Sequence, residues 1–302
     1  MNKEPFAAAH PFLICIDSDG CVFDTMEIKH KECFCPAAVE HFHLQPVSRY
    51  ARDAWDFVNL YSCFRGIHRL RALLKVLDLL ACRREVRERG FVPPSLPALR
   101  RYVQEGRPLS NDGLQAYLEE HPQAEDIRTT LEWSVDVNER IGRMVHGIPP
   151  FPHVRESLQA ARRHADIVIV SATQQLALSR EWGEHGLLEL VSGVMGQESG
   201  SKKQIIAALK GRYAPGRVLM IGDAPGDRDA AHENGALFYP IRPDHEAHSW
   251  AEFEDVLRAF LEQRYAGEPE QSRIRAFEKL LPCSPAWESV CQEREDERRD
   301  PS

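Results

Sequence analysis

Two carboxylates carry the first sign of chemistry. Asp17 and Asp19 lie in the stretch 12–25, Phe-Leu-Ile-Cys-Ile-Asp-Ser-Asp-Gly-Cys-Val-Phe-Asp-Thr. In an extended chain, side chains two residues apart point the same way. Like charges that close repel unless something positive lies between them. A hard divalent cation answers that need, because Mg²⁺ takes oxygen ligands, often one or two carboxylates and then substrate phosphate. Gly20 allows a sharp turn straight after the second carboxylate. Asp, Ser and Gly are also common turn residues, so the tetrapeptide alone is equally compatible with a plain turn.

The pattern returns further along. The apolar run 218–221 ends in Gly222-Asp223, followed by Gly226-Asp227. A third apolar run, 166–170, delivers Ser171-Ala172-Thr173 in place of a carboxylate. A hydroxyl and the backbone N–H groups of a helix start can bind a phosphoryl oxygen. Ser171 by itself is more simply read as an ordinary N-cap. Lys202 and Lys203 open a later helical pattern, and either can supply a positive charge.

These residues need a scaffold that brings strand ends together. The run 12–16 has the length and apolar character of one buried strand in a parallel sheet. In such sheets ligands bind beyond the carboxyl ends of the strands. From about residue 150 the chain alternates: strands are expected at 166–170, 190–194, 218–221 and 237–241, and helices at 154–163, 174–185, 202–213, 227–234 and 250–265. Alternation of this kind predicts right-handed crossovers and a doubly wound α/β core with a parallel, Rossmann-like sheet.

Between 26 and 146 the periodicity is helical throughout. Leu70, Leu73, Leu74, Leu77 and Leu80 predict one amphipathic helix over 67–88. Others are expected at 29–43, after Pro94, after 110–112 and over 123–146. Gly147-Ile-Pro-Pro-Phe-Pro152 ends the helical stretch. The expected division is therefore a core of 8–25 and 147–265, a helical insert of 26–146, and a C-terminal extension of 266–302. Within the extension, 274–281 is amphipathic enough to pack on the core, and the polar end 292–302 is expected to be disordered.

Composition narrows the function. With 302 residues, 43% hydrophobic and 28% charged, the chain has the make-up of a globular protein with a sizeable core. A net charge of -8 argues against a general nucleic-acid binder, which must neutralise phosphates. The apolar runs are strand-sized, so no membrane span is expected, and the N-terminus lacks the pattern of a signal peptide. Eight cysteines form no Cys-x-x-Cys pair, and reduced thiols in a cytoplasmic protein are the simplest expectation.

Asp17-Ser-Asp19-Gly20 with Asp24-Thr25, the strand ending in Ser171, the lysine at 202 or 203, and Gly222-Asp223-x-x-x-Asp227 resemble, in order and context, the haloacid dehalogenase-like hydrolase superfamily. The resemblance covers 12–25 and about 150–262, and the insert falls where that family places its first type of helical cap. It implies that Asp17 is the nucleophile, forming an aspartyl-phosphate, and that Asp19 is the general acid and base, with its carbonyl on Mg²⁺. Asp223 is implied as a further metal ligand and Asp227 as part of the same acidic cluster. Ser171, Ala172 and Lys202 are implied to hold the phosphoryl oxygens, Lys202 being preferred to Lys203 because Lys-x-x-Ile-Ile opens the helix as in the family.

The implied activity is Mg²⁺-dependent hydrolysis of a small phosphorylated metabolite by a monomer or homodimer. Metal-free dehalogenation is not expected, because those enzymes lack the second carboxylate. A phosphonatase would need a Schiff-base lysine, and Lys75 among Leu74 and Val76 is a poor match. Phe64-Arg65-Gly66-Ile67-His68-Arg69 resembles the cap loop of beta-phosphoglucomutases, so Arg65 and Arg69 are candidates for a second anionic group of the substrate. Where the mutases carry a histidine, this chain has Lys29, with His30 one residue later, which favours hydrolysis over the phosphomutase alternative. His41 and His43 are expected on the cap surface, away from any metal.

Overall fold

The computed structural model describes residues 8–287, which group into two compact units: 8–26 with 146–280, and 27–145 with 281–287. The expected disorder of 292–302 lies outside the described residues.

The first unit is built on a five-stranded parallel sheet. Its strands are β1 (Phe12–Ile16), β2 (Ala165–Val170), β3 (Gly193–Met195), β4 (Val218–Gly222) and β5 (Leu237–Pro240), in the spatial order β3-β2-β1-β4-β5. Every residue of β1, β2 and β4 is buried, which is why these strands read as unbroken apolar runs rather than alternating ones. Helices Val154–Ala161, Gln175–Glu184, Lys202–Lys210, Pro225–His232 and Glu246–Leu261 connect or flank them. Consecutive strands build outward from β1 on one side, and β4 then pairs with its other side. The order therefore reverses between β1 and β4, and a doubly wound sheet offers its ligand crevice at such a reversal.

The third strand begins later than expected. Leu188–Leu190 is a short 3-10 turn, with Leu190 buried in the core, and pairing with β2 starts only where Ser192 exchanges hydrogen bonds with Ile167. Leu190 is apolar because it fills the core, not because it lies in a strand. At the other edge the helix Glu268–Glu278 packs on β5, burying Ile274 and Phe277. The Glu270 carboxylate accepts the outward N–H of Phe238 at 2.8 Å, and the Tyr265 hydroxyl donates to the Phe238 carbonyl at 3.0 Å. The edge residue Phe238 thus has both backbone groups satisfied without another strand.

The second unit has no strand among its described residues. Thr25–Ile28 runs through a π-helical segment, Lys29–Phe34, into Cys35–His41, and a helix not anticipated from the periodicity follows at Ser48–Asn59. The expected single helix over 67–88 is two helices, Arg69–Cys82 and Arg84–Glu88, because Arg83 is extended. Its buried guanidinium pairs with Asp53 at 2.9 Å and lies over Tyr50 and Trp287, so tertiary pairing rather than Gly or Pro breaks the helix. Pro97–Gln104, Asn111–Glu120 and Glu125–Met144 complete the unit around buried Trp55, Tyr102 and Trp133.

Cys63 and Cys283 form a disulfide, with Cα atoms 5.1 Å apart, across 220 residues of sequence. The expectation of thiols alone is therefore corrected: the two cysteines have no motif spacing, and folding of the segment after Pro282 alongside the 60–64 turn brings them together. Among the described residues no helix is long and apolar enough to cross a membrane.

Candidate active site

The register Ile16↔Ile221 ends β1 and β4 level with each other. The Asp17 N–H donates to the Ile221 carbonyl at 3.0 Å, so the first carboxylate leaves the sheet beside Gly222 and Asp223. Pro225 opens the next helix and Asp227 lies in its first turn, where its Oδ2 accepts the Ala224 N–H at 3.1 Å. The close approach needs a glycine, since a Cβ on Gly222 would fall on the Asp227 carboxylate. Asp17, Asp223 and Asp227 are all buried, and one oxygen of each lies within 4.8 Å of the others.

Lys202 reaches this cluster because the preceding turn is fixed. Ser201 and Gln204 form a capping box that starts the helix at Lys202. The Lys202 ammonium then bonds Asp17 Oδ2 and, at 2.5 Å, Asp227 Oδ1. Lys203, the other candidate, points elsewhere and pairs with Glu233 on the surface.

Burial pushes Asp17 up to about 6, against the pull of Lys202, and the charge of Asp227 adds to the rise. Burial likewise raises Asp227, again opposed by Lys202. For Lys202 burial acts downward, but Asp17 and Asp227 outweigh it and hold the ammonium protonated. The ammonium bonds Asp17 and Asp227, and Asp223 brings a third carboxylate oxygen within 4.8 Å. An all-oxygen donor set of this kind fits a hard divalent cation.

Asp19 is held by two hydroxyls, from Thr25 and from Thr173, the latter at 2.9 Å. Ser171 follows β2, which neighbours β1, so its buried hydroxyl leaves the same end of the sheet; that Oγ accepts the Thr173 N–H at 3.2 Å. Ala172, between them, is exposed. Thr173 is a partner of Asp19 that the sequence marks only by its position two residues past Ser171.

Arg65 and Arg69 both lie in the second unit. Arg65 is buried and donates to the Leu60 carbonyl at 2.7 Å. Arg69 donates to the Ser134 hydroxyl and carbonyl and to Asn138 Oδ1, and its guanidinium lies over the Phe34 ring. Burial lowers its pKa to about 10. Lys75 lies over Phe64, and His41 pairs with Asp136.

No family model matches the chain, and no curated protein matches its sequence. Solved structures do align with it along most of its length. A haloacid dehalogenase-like family hydrolase from Xanthomonas campestris has 14% identity over 86% of this chain and 97% of its own, with a TM-score of 0.47. A haloacid dehalogenase-like family hydrolase from Streptococcus pneumoniae has 14% identity over 82% of this chain and 98% of its own, at 0.43. A predicted phosphoglycolate phosphatase from Haemophilus somnus has 15% identity over 81% and 96%, at 0.41.

Proposed function

We propose that the chain is a Mg²⁺-dependent phosphatase that hydrolyses a small phosphorylated metabolite through an aspartyl-phosphate. The observation that carries the reading is the buried cluster of Asp17, Asp223 and Asp227 around Lys202 at the reversal point of the sheet, with Asp19 two residues from Asp17.

An Asp17 carboxylate oxygen attacks phosphorus while the bond from phosphorus to the ester oxygen breaks. Asp19 gives its proton to that leaving oxygen and later takes one from the water that hydrolyses the acyl phosphate. Lys202, the Ser171 hydroxyl and the backbone at Ala172 hold the phosphoryl oxygens and offset the charge that spreads over them. Asp17, Asp223 and the Asp19 carbonyl are the residues that would hold Mg²⁺, with Asp227 supporting the cluster; bound there, it would supply charge neutralisation for the phosphoryl oxygens.

Substrate preference is assigned to the helical unit. Arg69 is the stronger of the two arginine candidates, since it has no carboxylate partner among the described residues and burial already penalises its charge. The phosphomutase alternative draws no support from His30, whose Nδ1 accepts the Trp55 indole N–H at 3.1 Å and whose ring stacks on Phe34.

The test is phosphate release from p-nitrophenyl phosphate with Mg²⁺ and with EDTA. Release that needs the metal and vanishes in Asp17→Asn supports the reading. Sugar-phosphate interconversion faster than phosphate release would replace it with the mutase. Inactivity across a broad panel of phosphate esters would replace it with a binding module.

A further inference from the structure

Ser18, the residue between the two active-site carboxylates, has a side chain that the reaction itself does not use, yet it is completely buried. Its Oγ accepts the Trp182 indole N–H at 3.0 Å and donates to Glu181 Oε2 at 3.1 Å. The direction of this chain is fixed, because an indole N–H can only donate and an ionised carboxylate only accept. Trp182 is itself fully buried, with Phe23 edge-on at 5.7 Å, so the donor is held by packing.

The Ser18 backbone has a matching role. Its carbonyl accepts N–H groups from Cys21, Val22 and Phe23, at 3.3, 2.9 and 3.2 Å. Gly20, in the left-handed region at φ 71°, makes that closed turn accessible. The loop therefore folds about Ser18, and the side chain of Ser18 is tied to the helix Gln175–Glu184 that follows Ser171 and Thr173. Asp17 is fixed at the strand end: its N–H bonds the Ile221 carbonyl in the sheet, and its Oδ1 accepts the Ser18 N–H at 2.7 Å. Asp19 lies beyond these bonds, on the far side of Ser18, with its carboxylate held by the Thr25 and Thr173 hydroxyls.

We infer that Trp182, Ser18 and Glu181 are positioning residues that set where Asp19 stands relative to Asp17, and so control proton delivery to the leaving group more than attack on phosphorus. The inference rests on the phosphatase reading. It makes an asymmetric prediction. When the bond from phosphorus to the leaving oxygen breaks, its electron pair stays on that oxygen. An alkoxide needs the Asp19 proton at once, whereas dinitrophenolate leaves as a stable anion without it. Displacing Asp19 by a fraction of the chain's width therefore slows alkyl esters selectively.

The experiment measures kcat/KM of the full-length protein with Mg²⁺ for 2,4-dinitrophenyl phosphate and for an alkyl phosphate such as ethyl phosphate. In Ser18→Ala the alkyl ester is expected to lose about 100-fold, the order of loss that an ångström-scale misplacement causes, and the dinitrophenyl ester less than about threefold. Glu181→Leu should reproduce that change in ratio, and Glu181→Gln, which keeps an acceptor for the Ser18 hydroxyl, should retain the wild-type ratio. Partial unfolding lowers both rates by one factor and leaves the ratio untouched. Equal losses on both esters in Ser18→Ala overturn the positioning role while leaving the phosphatase reading intact. Wild type inactive on both esters overturns the phosphatase reading, and the positioning role with it.

Discussion

Removing the Lys202 charge tests the buried cluster as a physical object, independent of any substrate. Lys202→Met keeps the apolar stem but removes the ammonium that bonds Asp17 and Asp227, with the Asp223 carboxylate close by. A charge pair 4 Å apart is worth about 4 kcal/mol at an effective dielectric constant near 20. Lys202 makes two such contacts, and against them stands the several kcal/mol needed to bury an ammonium. Breaking a buried pair by deleting one partner typically costs about 3–5 kcal/mol, and that is the loss expected for the metal-free variant near pH 8. The pH dependence has a definite sign. Lys202 is held protonated by its two carboxylates, so it contributes throughout the neutral range. Asp17 is already raised to about 6 by burial, and without Lys202 it and Asp227 rise further. As pH falls the variant relieves its repulsion by taking up protons, so the loss should shrink to less than about 2 kcal/mol near pH 5. Urea titrations followed by circular dichroism in EDTA, at both pH values, measure it. Adding Mg²⁺ should recover more stability in the variant than in wild type. A loss below about 1 kcal/mol near pH 8 would refute the description of the cluster as a strongly coupled buried site.

Asp17→Asn should abolish turnover and yet stabilise the metal-free protein near pH 8. The folded-state pKa of Asp17 is raised from 3.8 to about 6. Its ionisation therefore penalises the folded state as pH rises through that value, by about 2–3 kcal/mol at the conversion of 1.36 per unit. By pH 4 the gain should disappear, and equal stabilisation at both pH values would contradict the assignment. Gly222→Ala forces a methyl group onto the Asp227 carboxylate, and should cost about 1–3 kcal/mol and weaken Mg²⁺ binding measured by calorimetry. Opening the Cys63–Cys283 bridge, which spans 220 residues, by Cys63→Ser or a dithiol should lower unfolding stability by about 2–4 kcal/mol, and the dithiol should have no further effect on Cys63→Ser. Glu270→Ala strands the Phe238 N–H at the sheet edge, and about 1–3 kcal/mol of stability should be lost in the same denaturation assay.

The parts of the site that could be read from the sequence are those set by local pattern. An interior parallel strand is buried on both faces, so Phe12–Ile16 and Val218–Gly222 stand out as apolar runs, and each run ends where an aspartate follows. The lysine ambiguity could have been narrowed further, because Ser201 and Gln204 have capping-box spacing, which fixes the helix start at Lys202. What escaped detection is set by partners far away in the chain. The break at Arg83 depends on Asp53, Tyr50 and Trp287; the disulfide joins cysteines without motif spacing; Ser18 meets Glu181 and Trp182 more than 160 residues on. The late start of β3 had a different cause, since apolar Leu190 serves the core and a strand would have the same composition.

The central claim is that Asp17 becomes covalently phosphorylated, and the most direct measurement is to trap that bond. Asp19→Asn, which retains the nucleophile but cannot activate water, is mixed with 2,4-dinitrophenyl phosphate and Mg²⁺, reduced with borohydride, digested and sequenced by mass spectrometry. Conversion of residue 17 to homoserine, absent in EDTA and absent in Asp17→Asn, is the predicted result. Turnover by wild type with no modification at residue 17, or with the label on another side chain, would contradict the account.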